Sequence, residues 1–159
     1  MSVIELLRRS ELFADLDPDQ IGQIAALSQT QSYKSGDVII QEGEPSDEIY
    51  IVCTGMVEVI VPQVSIPDVP GASDLSSIVR LGQGQVFGEM SLVDRGARSA
   101  TVRCVDDDTT LYCIPREDLW RLCDGDHHIG YALMRNIASD LSFKLRHRNL
   151  QAGLRGGGA

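Results

Sequence analysis

The segment Phe87–Ala100, which reads FGEMSLVDRGARSA, holds the residues of this 159-residue chain whose types and spacing could do chemistry. Gly88 and Glu89 are adjacent, and Arg98 follows in the same segment. A glycine, a carboxylate and a guanidinium close together could bind one small, charged, hydroxylated molecule. They could equally form an ordinary turn in which Glu89 and Arg98 make a surface ion pair, worth under about 1 kcal/mol.

A binding site follows if a short helix runs from Glu89 to Val93 directly after a strand. The first amides of that helix would point outward without intrahelical partners and cradle an anion. Gly88 has no side chain, so a ligand can approach its backbone, and Arg98 could close on the same anion beyond a turn at 94–96. Glu89 would repel an anion, but it could accept a hydrogen bond from a hydroxyl such as that of a ribose. Phosphate and ribose in one compact site indicate a nucleotide.

Composition limits the class of protein that could carry such a site. With 43% apolar and 23% charged residues the chain is globular, and its length fits one domain, which we place at 1–152 with a flexible tail at 153–159. A net charge of −9 argues against broad contact with nucleic acid. We find neither a signal-like apolar run nor the roughly 20 apolar residues that cross a bilayer. We therefore expect a cytoplasmic protein that contacts no membrane.

The cysteine and histidine pattern does not suggest a metal site or an enzyme. Cys53, Cys104, Cys113 and Cys123 lie outside CxxC spacing, and three of them fall in alternating apolar runs. We expect buried, reduced thiols and no metal. The three aspartates at 106–108 lack calcium-loop spacing and predict a turn. Since the chain shows no nucleophile–base pair, we do not expect catalysis.

Helix signals stand at both ends of the chain. A short helix is predicted over about 3–9, and a second has Asp17 as its N-cap, Pro18 at its first position and Gln20 as the capping-box partner. After Pro115 we predict one short helix and then a long helix to about Leu150. The long helix carries one apolar stripe at i, i+4 spacing: Ile129, Leu133, Ile137, Leu141 and Leu145.

Between the helices the apolar period is two, which predicts strands. Four strands are expected in 31–61, with turns at 35–36, 42–47 and 55, and four more at 76–81, 83–87, 99–105 and 109–115. One face of the third strand carries Ile49, Ile51 and Cys53, and one face of the fourth carries Val57, Val59 and Val61. The proline-rich residues 62–75 are predicted to be a long, mobile hairpin connection. The fold class is therefore α+β: an antiparallel, jelly-roll-like β-roll of about eight strands, flanked by N-terminal helices and a long C-terminal helix.

The run GQGQVFGEMSLVDRGARSATV, set between these strands and the long helix, resembles the phosphate-binding cassette of the cyclic nucleotide-binding domain family. We call Phe87–Ala100 the cassette. Gly36, Gly43 and Gly55 also stand where the family has turn glycines, and the resemblance covers about Leu12 to Leu150. The matching cassette residues are Phe87, Gly88, Glu89, Ser91, Leu92, Arg98, Ser99 and Ala100.

The resemblance implies a role for individual cassette residues. Arg98 would bind the phosphate oxygens of a cyclic nucleotide, and Glu89 would accept a hydrogen bond from the ribose 2′-hydroxyl. Backbone amides around Met90 and Ser91, with Gly88, would complete the cradle. Ser99 would contact the phosphate or the base. Because serine at this position occurs in a cAMP-binding member and threonine often accompanies cGMP, we favour cAMP as the ligand, with cGMP as the alternative.

The resemblance also implies an output through the long helix. This helix would cover the base, with Lys144, Leu145 and Arg148 as the candidate lid, and would pass the signal to an unidentified protein partner or an attached output domain. Its apolar stripe could instead pack only on the roll, or pair with a second copy to form a homodimer. The alternative function is an interaction domain that keeps this fold but has lost or changed its ligand.

Overall fold

A computed structural model describes residues 1–45, 47–61, 77–94 and 96–156, leaving aside the side chains of residue 77 and of 148–156. The helices in this part are α1 Val3–Arg9, α2 Pro18–Leu27, α3 Arg116–Gly125 and α4 His127–Gly156, with single 3-10 turns at Glu11–Phe13 and Glu89–Leu92. The strands are β1 Gln29–Tyr33, β2 Val38–Ile40, β3 Glu48–Thr54, β4 Val57–Val61, β5 Ser77–Leu81, β6 Val86–Phe87, β7 Thr101–Cys104 and β8 Thr109–Pro115. The predicted connection at 62–75 lies outside the described residues.

The eight strands form two antiparallel four-stranded sheets, with strand orders β1-β8-β3-β6 and β2-β7-β4-β5. Consecutive strands such as β3 and β4 lie in different sheets, so the chain passes repeatedly from one sheet to the other. Side chains of both sheets pack together in a core inside the roll. This arrangement confirms the predicted antiparallel β-roll with flanking helices.

The N-terminal helices begin where their capping residues place them. The Gln20 amide donates to Asp17 Oδ1 at 2.8 Å, and the Asp17 amide donates to Gln20 Oε1 at 3.0 Å. The predicted capping box of α2 is therefore confirmed. A second box joins Ser2 and Glu5 at the start of α1. These reciprocal bonds satisfy amides that a helix start leaves without partners.

Strand β3 is buried on both faces, whereas the prediction from the sequence named an apolar face on only one of them. Ile49, Ile51 and Cys53 belong to the core beneath the helices. Tyr50 and Val52 belong to the core inside the roll. The second face is covered because helices pack on the outside of this sheet, and each fully buried apolar side chain stabilises the fold by about 1.5–3 kcal/mol.

The turn between β3 and β4 depends on Gly55. Its φ is +84°, and a Cβ atom there would lie 2.8 Å from the Cα atom of Thr109. The backbone of this turn therefore packs directly on the start of β8. A side chain at residue 55 would collide with Thr109 at that point.

The apolar stripe of α4 is buried only at its beginning. Ile129, Leu133 and Ile137 lie in the core, Leu141 is partly buried, and Leu145 is 60% exposed. The helix continues to Gly156, beyond the predicted end near Leu150. The predicted flexibility of 153–159 stays a prediction, since residues 157–159 lie outside the described part.

All four cysteines are buried and free, as the sequence predicted. The turn at 106–108 is also present, and the Thr109 hydroxyl donates to the Asp106 carbonyl at 2.9 Å. Within the described residues no cluster of three metal-ligating side chains occurs. No helix in this part of the chain is both long enough and apolar enough to cross a membrane.

Candidate functional site

The cassette begins with a left-handed glycine and a single 3-10 turn. Gly88 has a φ of +78° and is followed by the turn Glu89–Leu92, which confirms the predicted short helix with 3-10 geometry. The Ser91 amide donates to the Gly88 carbonyl at 3.2 Å. The amides of Glu89 and Met90 have no backbone acceptor among the described residues. They are therefore available to an acceptor outside the chain.

Two backbone hydrogen bonds hold Arg98 in place near the C-terminal end of the cassette. Its amide donates to the Glu44 carbonyl at 2.8 Å, and its carbonyl accepts from the Gly43 amide at 2.9 Å. These two bonds attach the end of the cassette to the turn between β2 and β3. The position of Arg98 therefore depends on a segment some 50 residues earlier in the chain.

The Arg98 guanidinium lies directly against Gly88. Its Nη1 donates to the Gly88 carbonyl at 3.4 Å, and its Nη2 donates to the Glu48 carbonyl at 2.7 Å. A Cβ atom at Gly88 would lie 2.7 Å from Arg98 Nη1 and 3.0 Å from the Glu48 carbonyl oxygen. Only glycine leaves space for the guanidinium in this position.

The charge on Arg98 is partly removed from water. Burial lowers the pKa of its guanidinium, while Tyr50, Glu48 and Asp47 act in the opposite direction. Arginine keeps its proton in proteins at neutral pH. The site therefore holds a fixed cation beside the free amides of the 3-10 turn.

Glu89 is paired with α4. Its carboxylate lies 3.7 Å from Lys144 Nζ, and Lys144 also contacts Asp140 at 2.9 Å. Burial lowers the pKa of Lys144, but the two carboxylates more than offset that effect, so the pKa is raised overall. Among the described ion pairs, Glu89 is joined to Lys144 and not to Arg98. The surface pair that the sequence allowed between Glu89 and Arg98 is therefore not the arrangement found.

The cassette, the interior of the roll, α4 and the N-terminal segment around α1 line an open cavity of about 1430 Å³. Its apolar wall comes from strand residues such as Val59, Leu81 and Val102 and from the cassette residue Phe87. Small-molecule sites are typically about 300–1,000 Å³, so the space exceeds what a nucleotide needs. Seven predicted site residues line it: Phe87, Gly88, Glu89, Met90, Arg98, Ser99 and Ala100.

The other predicted site residues lie elsewhere or reach the cavity from α4. Ser91 is 1% exposed, does not line the cavity, and its hydroxyl has no partner among the described residues. Of the lid candidates, Lys144 lines the cavity, while the exposed Leu145 does not. The backbone of α4 continues through Arg148, whose side chain lies outside the described residues.

Two parts of this site were not predicted from the sequence. Phe143, which is 63% exposed, lines the cavity beside Lys144 and contacts the His147 ring edge-on at 4.5 Å. Its spacing from Asn136 and Asp140, i, i+4, i+7, could have shown that these residues share a helix face. Glu48, whose carbonyl holds Arg98, gave no signal because its contact depends on the tertiary structure.

Comparison with known proteins identifies the class of this domain. A model of the family described as "Cyclic nucleotide-binding domain" matches residues 30–126. The chain therefore belongs to the cyclic nucleotide-binding domain family, whose members are regulatory ligand-binding domains.

Individual relatives support this assignment. The chain is 30% identical to the cyclic AMP receptor protein of Thermus thermophilus over 93% of its own length and 63% of that protein. It is 33% identical to a putative potassium channel protein of Rhodopseudomonas palustris, over 72% of this chain and 25% of the channel. The crystal structure of the Thermus thermophilus catabolite activator protein matches with a TM-score of 0.75 and 29% identity, covering 92% of this chain and 63% of that one. The chain thus spans less than two thirds of these relatives.

Proposed function

We propose that this domain binds cAMP in the cavity between the cassette and α4, and that α4 passes the binding event to a protein partner or an attached output domain. One observation carries the proposal. The cavity brings together a half-buried guanidinium from Arg98, a left-handed Gly88 and the carboxylate of Glu89, whose ion-pair partner Lys144 belongs to α4.

The phosphate would bind between Arg98 and the start of the 3-10 turn. Arg98 uses two N–H groups in bonds to the Gly88 and Glu48 carbonyls, which leaves donors of its five for phosphate oxygens. The Glu89 and Met90 amides supply further donors. Because Arg98 is already held in place, little side-chain entropy would be lost on binding.

The ribose would couple the ligand to α4. We assign the 2′-hydroxyl as a donor to the Glu89 carboxylate, which already faces Lys144 at 3.7 Å. The hydroxyl and the ammonium would then share one acceptor. Binding would change the contact between the cassette and α4, and this contact is the first step of the proposed signal.

The base would lie against apolar walls and a lid from α4. Phe143 and Lys144 line the cavity on that side, and an aromatic ring can stack on a purine. Leu145 and Arg148 remain lid candidates for a helix that moves on binding. Ser99 lines the cavity and can hydrogen-bond to phosphate or base, and we favour cAMP over cGMP on this residue.

Calorimetric titration of the chain with cAMP, cGMP and 5′-AMP tests the proposal. We expect one cAMP site per chain, weaker binding of cGMP, and little binding of the linear nucleotide. At 100 times its dissociation constant, cAMP should stabilise the fold by about 2.7 kcal/mol. An unchanged melting temperature at millimolar cAMP and cGMP would overturn the proposal.

Two variants test the assigned roles. Arg98→Ala should lose more affinity than Glu89→Ala, because a charge-assisted bond to phosphate is about twice as strong as a neutral hydrogen bond. Removing Glu89 also relieves its repulsion of the anion. Arg103→Ala is the matched control, since Arg103 is exposed on β7 and pairs with Glu58 outside the cavity. Equal or reversed losses for the first two variants would show that the roles are misassigned.

A further inference from the structure

Glu48, at the start of β3, joins three parts of the molecule behind the cavity. Its carboxylate Oε2 accepts from the Tyr50 hydroxyl at 2.6 Å and from the Cys113 thiol at 2.9 Å. Its main-chain carbonyl accepts from Arg98 Nη2 at 2.7 Å. One residue therefore uses its side chain to contact β3 and β8, and its backbone to contact the guanidinium.

The contact with Tyr50 reaches the other end of the cassette. Tyr50 stacks on Phe87 with 5.0 Å between ring centroids and 10° between ring planes. Phe87 immediately precedes Gly88, against which the Arg98 guanidinium rests. Glu48 is thus connected to Arg98 directly through its carbonyl and to Gly88 through the stacked rings.

The partners of the carboxylate are held inside the fold. Tyr50 is 6% exposed and Cys113 is 1% exposed, so both donate to Glu48 from positions within the fold. Burial, together with Glu48, raises the pKa of Cys113 to about 12. The thiol therefore stays protonated and donates to the carboxylate throughout the physiological pH range. Loss of this acceptor would leave two buried donors unsatisfied.

We propose that Glu48 is a positioning residue for the ligand phosphate. The hydrogen bonds from Tyr50 and Cys113 to its carboxylate fix the position of the first residue of β3. The main-chain carbonyl of that residue then orients the Arg98 guanidinium toward the cavity. This inference rests on the proposed function, and it assigns to Glu48 no contact with ligand. A carboxylate acting on the phosphate directly would weaken binding, so any gain in affinity from Glu48 must act through Arg98.

Calorimetry with cAMP tests the positioning role. Glu48→Ala should weaken binding by about tenfold, the loss typical of one hydrogen bond to a charged group. Glu48→Gln keeps an oxygen acceptor for Tyr50 and should stay within about threefold of the original chain. Glu58→Ala is the control: Glu58 is also a paired strand glutamate, but its partners Arg80 and Arg103 are exposed. The affinity of Glu58→Ala for cAMP should not change. Glu48→Gln binding as weakly as Glu48→Ala would contradict the inference.

A double-mutant cycle separates positioning from general support of the fold. In an Arg98→Lys chain, which lacks the forked guanidinium, Glu48→Ala should cost less than about twofold, because coupled residues are not additive. Equal losses in both backgrounds would overturn the inference.

If Glu48→Ala does not fold, Tyr50→Phe takes its place. We expect this variant to lose about threefold in affinity for cAMP, and unchanged affinity would overturn the inference. If the original chain binds cAMP and Glu48→Ala binds it equally well, only this inference is refuted. If the original chain binds neither cAMP nor cGMP, the proposed function is refuted as well.

Discussion

The two halves of α4 have different surroundings, although they form one continuous helix. In the first half, Leu133 is fully buried, and Asn136 Nδ2 donates to the Leu12 and Ala14 carbonyls at 2.9 and 3.0 Å. In the second half, Phe143 is mostly exposed, and the described ion pair to the rest of the fold is the one between Lys144 and Glu89.

This difference separates the part of the helix that stabilises the fold from the part that we propose responds to ligand. The first half contributes side chains to the core and cannot leave it without exposing them. The second half has few buried contacts, and such segments open at low free-energy cost. The second half lines the cavity through Phe143 and Lys144, so under the proposed function a ligand there would change the position of the helix end while the helix stays anchored.

The largest expected effect is on the stability of the first half. Leu133→Ala should destabilise the fold by about 2–5 kcal/mol, since a buried leucine leaves a cavity when it is truncated. Leu145→Ala, the matched control from the same stripe, should change stability by less than about 0.5 kcal/mol. Urea unfolding measures both. Similar losses at the two positions would show that the second half is also packed in solution.

Hydrogen exchange with and without cAMP should place the response in the second half. We expect protection to rise in the cassette and across 142–150, by about tenfold or roughly 1.4 kcal/mol, because the ligand adds contacts to both. Amides of 129–137 should change little, since the core already holds them. If only the cassette becomes protected, the helix is a static support and the signal leaves the domain elsewhere.

The ion pair between the cassette and α4 should have a smaller effect. Lys144→Ala should lower the free energy of unfolding by less than about 1 kcal/mol, because Lys144 is mostly exposed and water screens the pair. It should nevertheless speed amide exchange beyond residue 142. Arg121→Ala, which removes an exposed pair with Asp118 inside α3, is the control and should leave that exchange unchanged. A Lys144→Ala loss as large as that of Leu133→Ala would show that the second half is structurally docked.

The smallest effect is a difference in pH dependence between the two halves. Hydrogen bonding from Gln20 lowers the pKa of Asp126 at the start of α4. The contribution of Asp126 to stability is therefore complete above its ordinary pKa of 3.8, and it is lost as the pH falls through the lower pKa of the folded state. Lys144 has a raised pKa, so its contribution to stability is complete below its ordinary pKa of 10.5. That contribution is lost as the pH rises through the higher pKa of the folded state. Melting temperatures of Asp126→Asn and Lys144→Met should therefore approach that of the original chain in acid and in alkali, respectively. A gap that persists at those extremes would contradict these assignments.

Local features of the fold could be predicted because their causes are local. Capping at Asp17 and Gln20 depends on residues three positions apart, and the strands follow from alternation of apolar residues. The cassette was recognised because its residues lie within one short segment. The position of Phe143 in the cavity was missed, since it depends on the direction in which α4 leaves the core.

The residue pattern alone was enough for the fold class, the family and the segment that we predict carries the site, because these depend on periodicity and on spacing between near neighbours. Two contacts could be seen only in the folded chain: Arg98 rests on the carbonyl of Glu48, and Glu89 faces Lys144. Each of these contacts joins segments about 50 residues apart or more. Their geometry is set by how two sheets and four helices pack together, and no spacing along the chain encodes that packing directly.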